Sequence, residues 1–220
     1  LGEYSALVAA NVLGLEDAVR LVAKRGEFMQ AAVPQGVGAM AAILGLDDDA
    51  VREACVAGAG NEVVEAVNFN APGQVVIAGH ASAVARTADL AKQAGAKRAL
   101  VLDVSVPSHC ALMKPAADRL AELVAEIALS MPVIPVLHNV NVAEAASPDE
   151  IGLLLLEQLS KPVRWVETIR AMSDRGVDLV IEAGPGKVLT GLNKRIDKTL
   201  QTLPVFDPAG VENAMEAANA

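Results

Sequence analysis

Apolar and polar positions change period along this chain, and the changes mark its elements. Residues 4–12 are rich in Ala, Leu and Val and predict a buried helix, broken at Gly14. From Asp17 a second helix follows, with Ala18, Val19, Leu21, Val22, Phe28 and Met29 at helical spacing and a stop at Pro34-Gln35-Gly36. Residues 37–46 form a small-residue apolar strand, and Asp47-Asp48-Asp49 opens a helix over 47–57, where acidic side chains complement the dipole. Short strands are predicted at 63–68 and 75–77, joined by the turn Asn70-Ala71-Pro72-Gly73. A helix over 81–94 ends at Gly95, and a β-rich run covers 99–104.

The resulting order, β-α-β-β-α-β across residues 37–105, is the ferredoxin-like pattern and predicts a small subdomain inserted into a larger α/β domain. Beyond Pro107 the larger texture returns. Helices are expected at 111–127, with Pro115 in the first turn, and at 149–159 and 163–174. Residues 133–140 predict a strand, and 177–182 predict a mostly apolar strand of a parallel sheet covered on both faces. The second of these runs into Gly184-Pro185-Gly186, then a helix through Lys198 and a last strand at 203–206. The Ala-rich end from Ala214 predicts a fraying helix.

Composition narrows the functions. The chain has 220 residues, 53% hydrophobic, so a sizeable core can form. Its longest apolar run, Ala39 to Leu44, is far short of the roughly 20 residues a membrane span needs. Net charge is −9, and the aromatics are one Trp, one Tyr and three Phe. A nucleic-acid surface wants a basic stripe with stacking rings, so nucleic-acid binding is not expected. Cys55 and Cys110 have neither metal-ligand nor disulfide spacing, and a reduced, cytoplasmic setting follows. No metal site is expected. The opening Leu1-Gly2-Glu3-Tyr4-Ser5, without a Met, suggests a protein entered in the middle.

Few residues offer chemistry. Of the three histidines, His80 reads as a polar surface residue and His138 as a satisfied core or sheet-end histidine. His109 lies between an extended run ending at Pro107 and a helix starting near Ala111, where α/β proteins collect their sites. On that ground alone, structural and catalytic readings stand side by side. Its neighbours Ser108 and Cys110 point away from it on an extended segment, so His109 would need a nucleophile from elsewhere. Arg25 falls on the helix that carries Leu21, Val22, Phe28 and Met29. It either snorkels to solvent or holds a carboxylate in its two-pronged guanidinium. The Gly184-Pro185-Gly186 turn lacks the lysine-hydroxyl pair of a phosphate loop.

Taken together and in order, these segments resemble a known family. Leu1-Gly2-Glu3-Tyr4-Ser5-Ala6 is similar to the end of the Gly-His-Ser-Leu-Gly-Glu-Tyr-Ser-Ala elbow of malonyl-CoA:acyl carrier protein transacylases of bacterial type II fatty acid synthesis. Arg25-Gly26 with Met29-Gln30, Gly38-Ala39-Met40, Asn68-Phe69-Asn70 with Pro72-Gly73-Gln74, and Pro107-Ser108-His109 continue the likeness. Gln158-Leu159 with Pro162-Val163 and Trp165, then Gly184-Pro185-Gly186, complete it.

The resemblance implies an α/β fold: an α/β-hydrolase-like core with a parallel sheet plus the ferredoxin-like insertion. Residues 1–36 would be the C-terminal part of the elbow region, 37–105 the small subdomain and 106–220 the rest of the large domain. It implies transfer of malonyl from coenzyme A to the phosphopantetheine thiol of acyl carrier protein, by a ping-pong route through a serine expected just before Leu1. His109 would be the general base, Gln158 would orient it through its backbone carbonyl, and the Leu1 N–H would form half of the oxyanion hole. Arg25 would pair with the malonyl carboxylate, Ser108, Met29 and Val188 would shape the acyl pocket, and Asn68 would hold the pantetheine arm. No cofactor is implied, and a monomer is expected. Lys187, Lys194 and Arg195 cluster after the glycine-rich turn, either as a docking patch for the acidic carrier or as ordinary solvated charge. The competing classes are an acyltransferase domain of a multidomain synthase, a related thioester hydrolase, and a binding fragment without turnover.

Overall fold

The computed structural model describes residues 2–219, which by internal contacts form two compact units. Among these, the first comprises residues 2–69 and 73–164, the second residues 70–72 and 165–219.

In the first unit, helices α1 (Glu3–Ala9), α2 (Leu15–Ala32), α5 (Lys114–Ala125) and α6 (Pro148–Glu157) surround one apolar core. Leu7, Leu21, Met113, Leu120, Ile151 and Leu155 are fully enclosed in it. Pro115 falls at the start of α5, where a missing N–H costs nothing, and a 3₁₀ turn at Ala111–Met113 precedes that helix. Ser147 caps α6 by accepting from the Glu150 N–H at 3.2 Å, with Pro148 at its first position.

The same unit holds β1 (Gly38–Leu44), α3 (Asp48–Ala59), β2 (Val64–Ala71), β3 (Gln74–His80), α4 (Ala81–Gln93) and β4 (Arg98–Val101). The strands lie in the order β2-β3-β1-β4, and β1 runs antiparallel to both β3 and β4. Asp47 caps α3 through the Ala50 N–H at 2.8 Å, ahead of Asp48 and Asp49 in the first turn. One sheet face and the two helices enclose Ile43, Val51, Val75, Ile77, Ala83 and Val84. β3 is buried along its middle, and a Cβ on Gly79 would stand 2.0 Å from the Val63 carbonyl oxygen. Only glycine permits that approach.

In the second unit, β5 (Leu179–Ala183) and β6 (Gln201–Val205) pair in parallel, flanked by α7 (Trp165–Asp174), α8 (Val188–Ile196) and α9 (Pro208–Ala218). Asp207 caps α9, which continues through the Ala-rich end.

Two expected strands come out differently. Residues 133–140 form no strand among the described residues. Pro132 and Pro135 remove two main-chain donors, the Val133 N–H goes to the Ala10 carbonyl, and the chain turns back at 138–143 through His138 and Ala143. β5 forms as a parallel strand paired with β6, but Ile181 is 41% exposed, so its faces are not both covered among the described residues.

Candidate active site

His109 is held by the chain rather than by another side chain. Pro107 packs over the start of β1, so closely that a Cβ on Gly38 would lie 2.5 Å from its ring. Two residues later His109 adopts φ +67°, a left-handed conformation that carries a steric cost of about 1–2 kcal/mol outside glycine. Consecutive carbonyls at the end of α6 hold it there. The His109 N–H donates to the Leu159 oxygen at 3.0 Å, and Nδ1 lies 2.7 Å from the Gln158 main-chain oxygen. The last carbonyls of a helix have no intrahelical partner, which leaves them free for this task.

That contact fixes the tautomer. A main-chain carbonyl only accepts, so Nδ1 carries the proton and Nε2 keeps its lone pair. Burial pushes the imidazole down from its ordinary value to about 4; the Gln158 carbonyl works against this, and the charge of Arg25 adds to the lowering. At neutral pH the ring is an uncharged proton acceptor.

Arg25, on α2, is half-buried, and its Nε is enclosed without a hydrogen-bond partner. Burial lowers its guanidinium, against the pull of Tyr4 and Glu3. The Tyr4 hydroxyl is likewise buried and unpartnered, and burial raises it to about 12. A buried donor left unused is costly unless something completes it, and on a guanidinium an anion suits best.

Behind His109 lies a second polar cluster. The Glu3 carboxylate accepts from His138 Nδ1 at 2.8 Å, from Asn139 Nδ2 at 2.6 Å and from the Asn139 N–H at 3.3 Å. Burial alone would raise the Glu3 carboxyl, but these donors outweigh it and hold it below the usual carboxylate value. His138 is thus a satisfied core histidine, at 1% exposure, and its partner Glu3 carries no local signal in the sequence.

The other expected site residues scatter more widely. Met29 is buried in the helical core and Ser108 is half-buried beside His109. Asn68 forms a parallel bridge to Val163, flanked by the bonds Phe69 N–H to Val163 O and Val163 N–H to Val67 O. Val188 begins α8 in the second unit and is 69% exposed. Lys187, Lys194 and Arg195 are exposed on the same helix or just before it, and Arg195 donates to the Pro72 carbonyl at 3.3 Å. Leu1 lies outside the described residues.

After the glycine-rich turn, Glu182 caps α8 through the Leu189 N–H at 3.0 Å and the Thr190 N–H and hydroxyl at 2.6 and 2.7 Å. His80 is more than a surface residue, since its Nδ1 accepts the Val63 N–H at 3.0 Å. Among the described residues no group of His, Cys, Asp or Glu could hold a metal ion.

A neutral imidazole aimed through Nδ1, with a guanidinium in its neighbourhood, is a proton-transfer site of the kind that serves acyl transfer. The family model for the acyl transferase domain matches residues 1–214, and the chain belongs to that family. Its relatives narrow the branch. The malonyl CoA-acyl carrier protein transacylase of Escherichia coli K12 is 55% identical over 216 residues, which cover 98% of this chain and 70% of that protein. A crystal structure of an acyl carrier protein S-malonyltransferase from Vibrio cholerae is 57% identical and superposes with a TM-score of 0.95, covering 96% of this chain and 69% of that one. A malonyl-transacylase solved in complex with its type II PKS acyl-carrier protein is 52% identical, with a TM-score of 0.96 over 98% and 70% of the two chains.

Proposed function

We propose that this chain carries the base and the carboxylate clamp of a malonyl-CoA:acyl carrier protein S-malonyltransferase. One observation carries the reading: His109 is fixed through Nδ1 by the Gln158 carbonyl, with Nε2 free, while the nearby Arg25 Nε is buried without a partner. The relatives' names supply malonyl-CoA and acyl carrier protein as the substrates.

The nucleophile is a serine immediately before Leu1. Nε2 of His109 takes its hydroxyl proton as the oxygen attacks the malonyl thioester carbon, with the Leu1 N–H as one oxyanion donor. The tetrahedral intermediate expels the coenzyme A thiolate, which receives the proton back from Nε2. The phosphopantetheine thiol of the carrier then gives its proton to Nε2, attacks the acyl-serine, and releases the serine oxygen to be reprotonated. Each half-reaction exchanges a hydroxyl for a thiol and changes no oxidation state, so no cofactor enters. A carbonyl behind the imidazole suits such traffic, because it orients the ring without the strong basicity that a carboxylate partner confers.

Arg25 clamps the malonyl carboxylate in this reading, Ser108 and Met29 bound the acyl group, Asn68 meets the pantetheine arm, and Val188 rests on the resemblance alone. The fold that goes with it is an α/β-hydrolase-like core carrying a ferredoxin-like insertion over residues 37–105, supported by the β-α-β-β-α-β order and the strand order β2-β3-β1-β4. A cytoplasmic monomer is proposed; no described helix is long and apolar enough to cross a membrane.

The test is Arg25→Ala in the intact gene product, with malonyl and acetyl loading followed side by side. Malonyl loading should fall by on the order of a hundredfold or more while acetyl loading is kept or improved, since only malonyl brings a partner for the guanidinium. An equal loss of both would refute the clamp.

A further inference from the structure

The end of α6 grips His109 from one side, but its left-handed backbone can relax unless the chain leaving it is held as well. That chain enters the 3₁₀ turn at Ala111–Met113, whose N-cap, Cys110, gives no side-chain acceptor to the first N–H. The acceptor comes from β2 instead. Glu65 Oε2 takes the Ala111 N–H at 3.2 Å, two residues past the base.

Alternation along the strand puts Glu65 where this is possible. Val63 and Val67 stand two positions either side of it and therefore share its face. Both pack with Met40, Val76, Ala78 and the fully buried Cys110, so the segment carrying His109 crosses that face. Cys110 is tied further by its Sγ, which donates to the Pro107 carbonyl at 3.2 Å. The Glu65 carboxyl is half-buried; burial raises it from its ordinary value and the Ala111 N–H pulls the other way. Protonated or not, it keeps an oxygen that can accept.

β2 has a second hold on the site. The Val67 carbonyl accepts the Val163 N–H at 2.8 Å, and the Phe69 N–H donates to the Val163 carbonyl at 3.0 Å. These bonds anchor the segment that follows Gln158 and Leu159, whose carbonyls hold His109. One strand thus ties down both the loop of the base and the segment that aims it. The tie at Val163 is main chain to main chain, which any sequence supplies. The tie at Ala111 depends on the side chain at position 65.

We propose that Glu65 is a positioning residue for His109: it holds the first N–H of the turn beyond the base, so that the imidazole loop and the carbonyls aiming it are fixed to one strand. Without that tie the loop can trade φ +67° for a relaxed conformation and carry Nδ1 away from the Gln158 carbonyl.

This inference rests on His109 being the base, and one of its readouts does not. The intact gene product is compared with Glu65→Ala, which removes the acceptor, and Glu65→Gln, which keeps an acceptor oxygen at the same reach without the charge. The readouts are kcat and KM for malonyl loading, and exchange of the His109 Nδ1 proton with solvent by NMR, which needs no turnover. Glu65→Ala should lower kcat by on the order of tenfold with KM little changed, less than the roughly hundredfold of a full misplacement because the α6 carbonyls still hold the ring. It should also speed the exchange. Glu65→Gln should return both readouts to within about twofold of the parent, since the bond needs an acceptor and not a charge. Parent values of kcat and exchange in Glu65→Ala would overturn the proposal, even with a lowered urea midpoint, which would mark the bond as structural only. Glu65→Gln as impaired as Glu65→Ala would also overturn it, by assigning the effect to charge. If Glu65→Ala does not fold, Glu65→Val, suited to a strand and lacking an acceptor, is read the same way. Full loading by His109→Ala would instead sink the base assignment, while exchange in the Glu65 variants, which keep His109, still decides whether the tie holds the ring.

Discussion

The neutrality of His109 makes a prediction that requires no substrate. Burial brings the imidazole down to about 4 in the folded chain, whereas an unfolded histidine titrates near its ordinary value of about 6.5. Between those values the unfolded chain binds a proton that the folded chain refuses. Stability therefore rises with pH across the window and is lost as pH falls from about 6.5 toward 4. Above the window His109 contributes no pH dependence. At pH 4.5 the unfolded imidazole is about 99% protonated and the folded one only about a quarter, so the acid penalty from this residue is about 2 to 3 kcal/mol relative to pH 7.5.

The perturbation is His109→Asn. Asparagine tolerates the left-handed backbone found at φ +67°, carries an amide donor and is uncharged at both pH values. Urea unfolding of parent and variant at pH 7.5 and 4.5 gives four free energies, and the difference of differences isolates His109 from every other titrating group, Glu3 included. The variant should lose less stability on acidification, by about 2 to 3 kcal/mol. Equal acid sensitivity in both chains would mean that the folded imidazole titrates normally. The account of a buried base held neutral by its surroundings would then be wrong.

Two further outcomes test other parts of the molecule. Gly79→Ala places a Cβ 2.0 Å from the Val63 oxygen, so β3 must move or the strand must bend. The cost should be about 2 kcal/mol or more in chemical unfolding, and an unchanged midpoint would refute the close approach. Lys194→Glu with Arg195→Glu reverses exposed charge after the glycine-rich turn and should raise KM for an acidic carrier protein while leaving KM for malonyl-CoA unchanged. A parallel rise in both constants would remove the docking role.

What the sequence discloses and what it hides divide along one physical line. Local interactions are written locally. The helical spacing of Ala18, Leu21 and Met29, the Asp-rich opening of α3, Pro115 in a first turn and the β-α-β-β-α-β order all appear as expected within a few residues. His109 could be singled out because a base at the end of an extended run is also a local pattern. Its partner could not be found that way, because the Gln158 contact is made by a main-chain carbonyl and every residue has one. Glu3 and His138 are 135 positions apart, and neither looks unusual where it stands. Glu182 is a similar case: a carboxylate within an apolar strand that serves as the cap of the next helix. The error at 133–140 has the same root, for a strand is defined by its neighbour, and Val133 finds its acceptor at the end of α1.

The site's charges also explain why a base with so low a proton affinity suits its task. A general base works best when its affinity lies near the working pH, and burial carries His109 well below that. Part of the lowering comes from the charge of Arg25, whose buried Nε has no hydrogen-bond partner. On the proposed reading, the malonyl carboxylate supplies that partner as it binds. The Arg25 share of the lowering would then ease when the correct acyl group is in place and persist with an acetyl group or with water, while the larger share, set by burial, stays. Selectivity and activation would then share one origin, an arginine left unpaired until its substrate arrives.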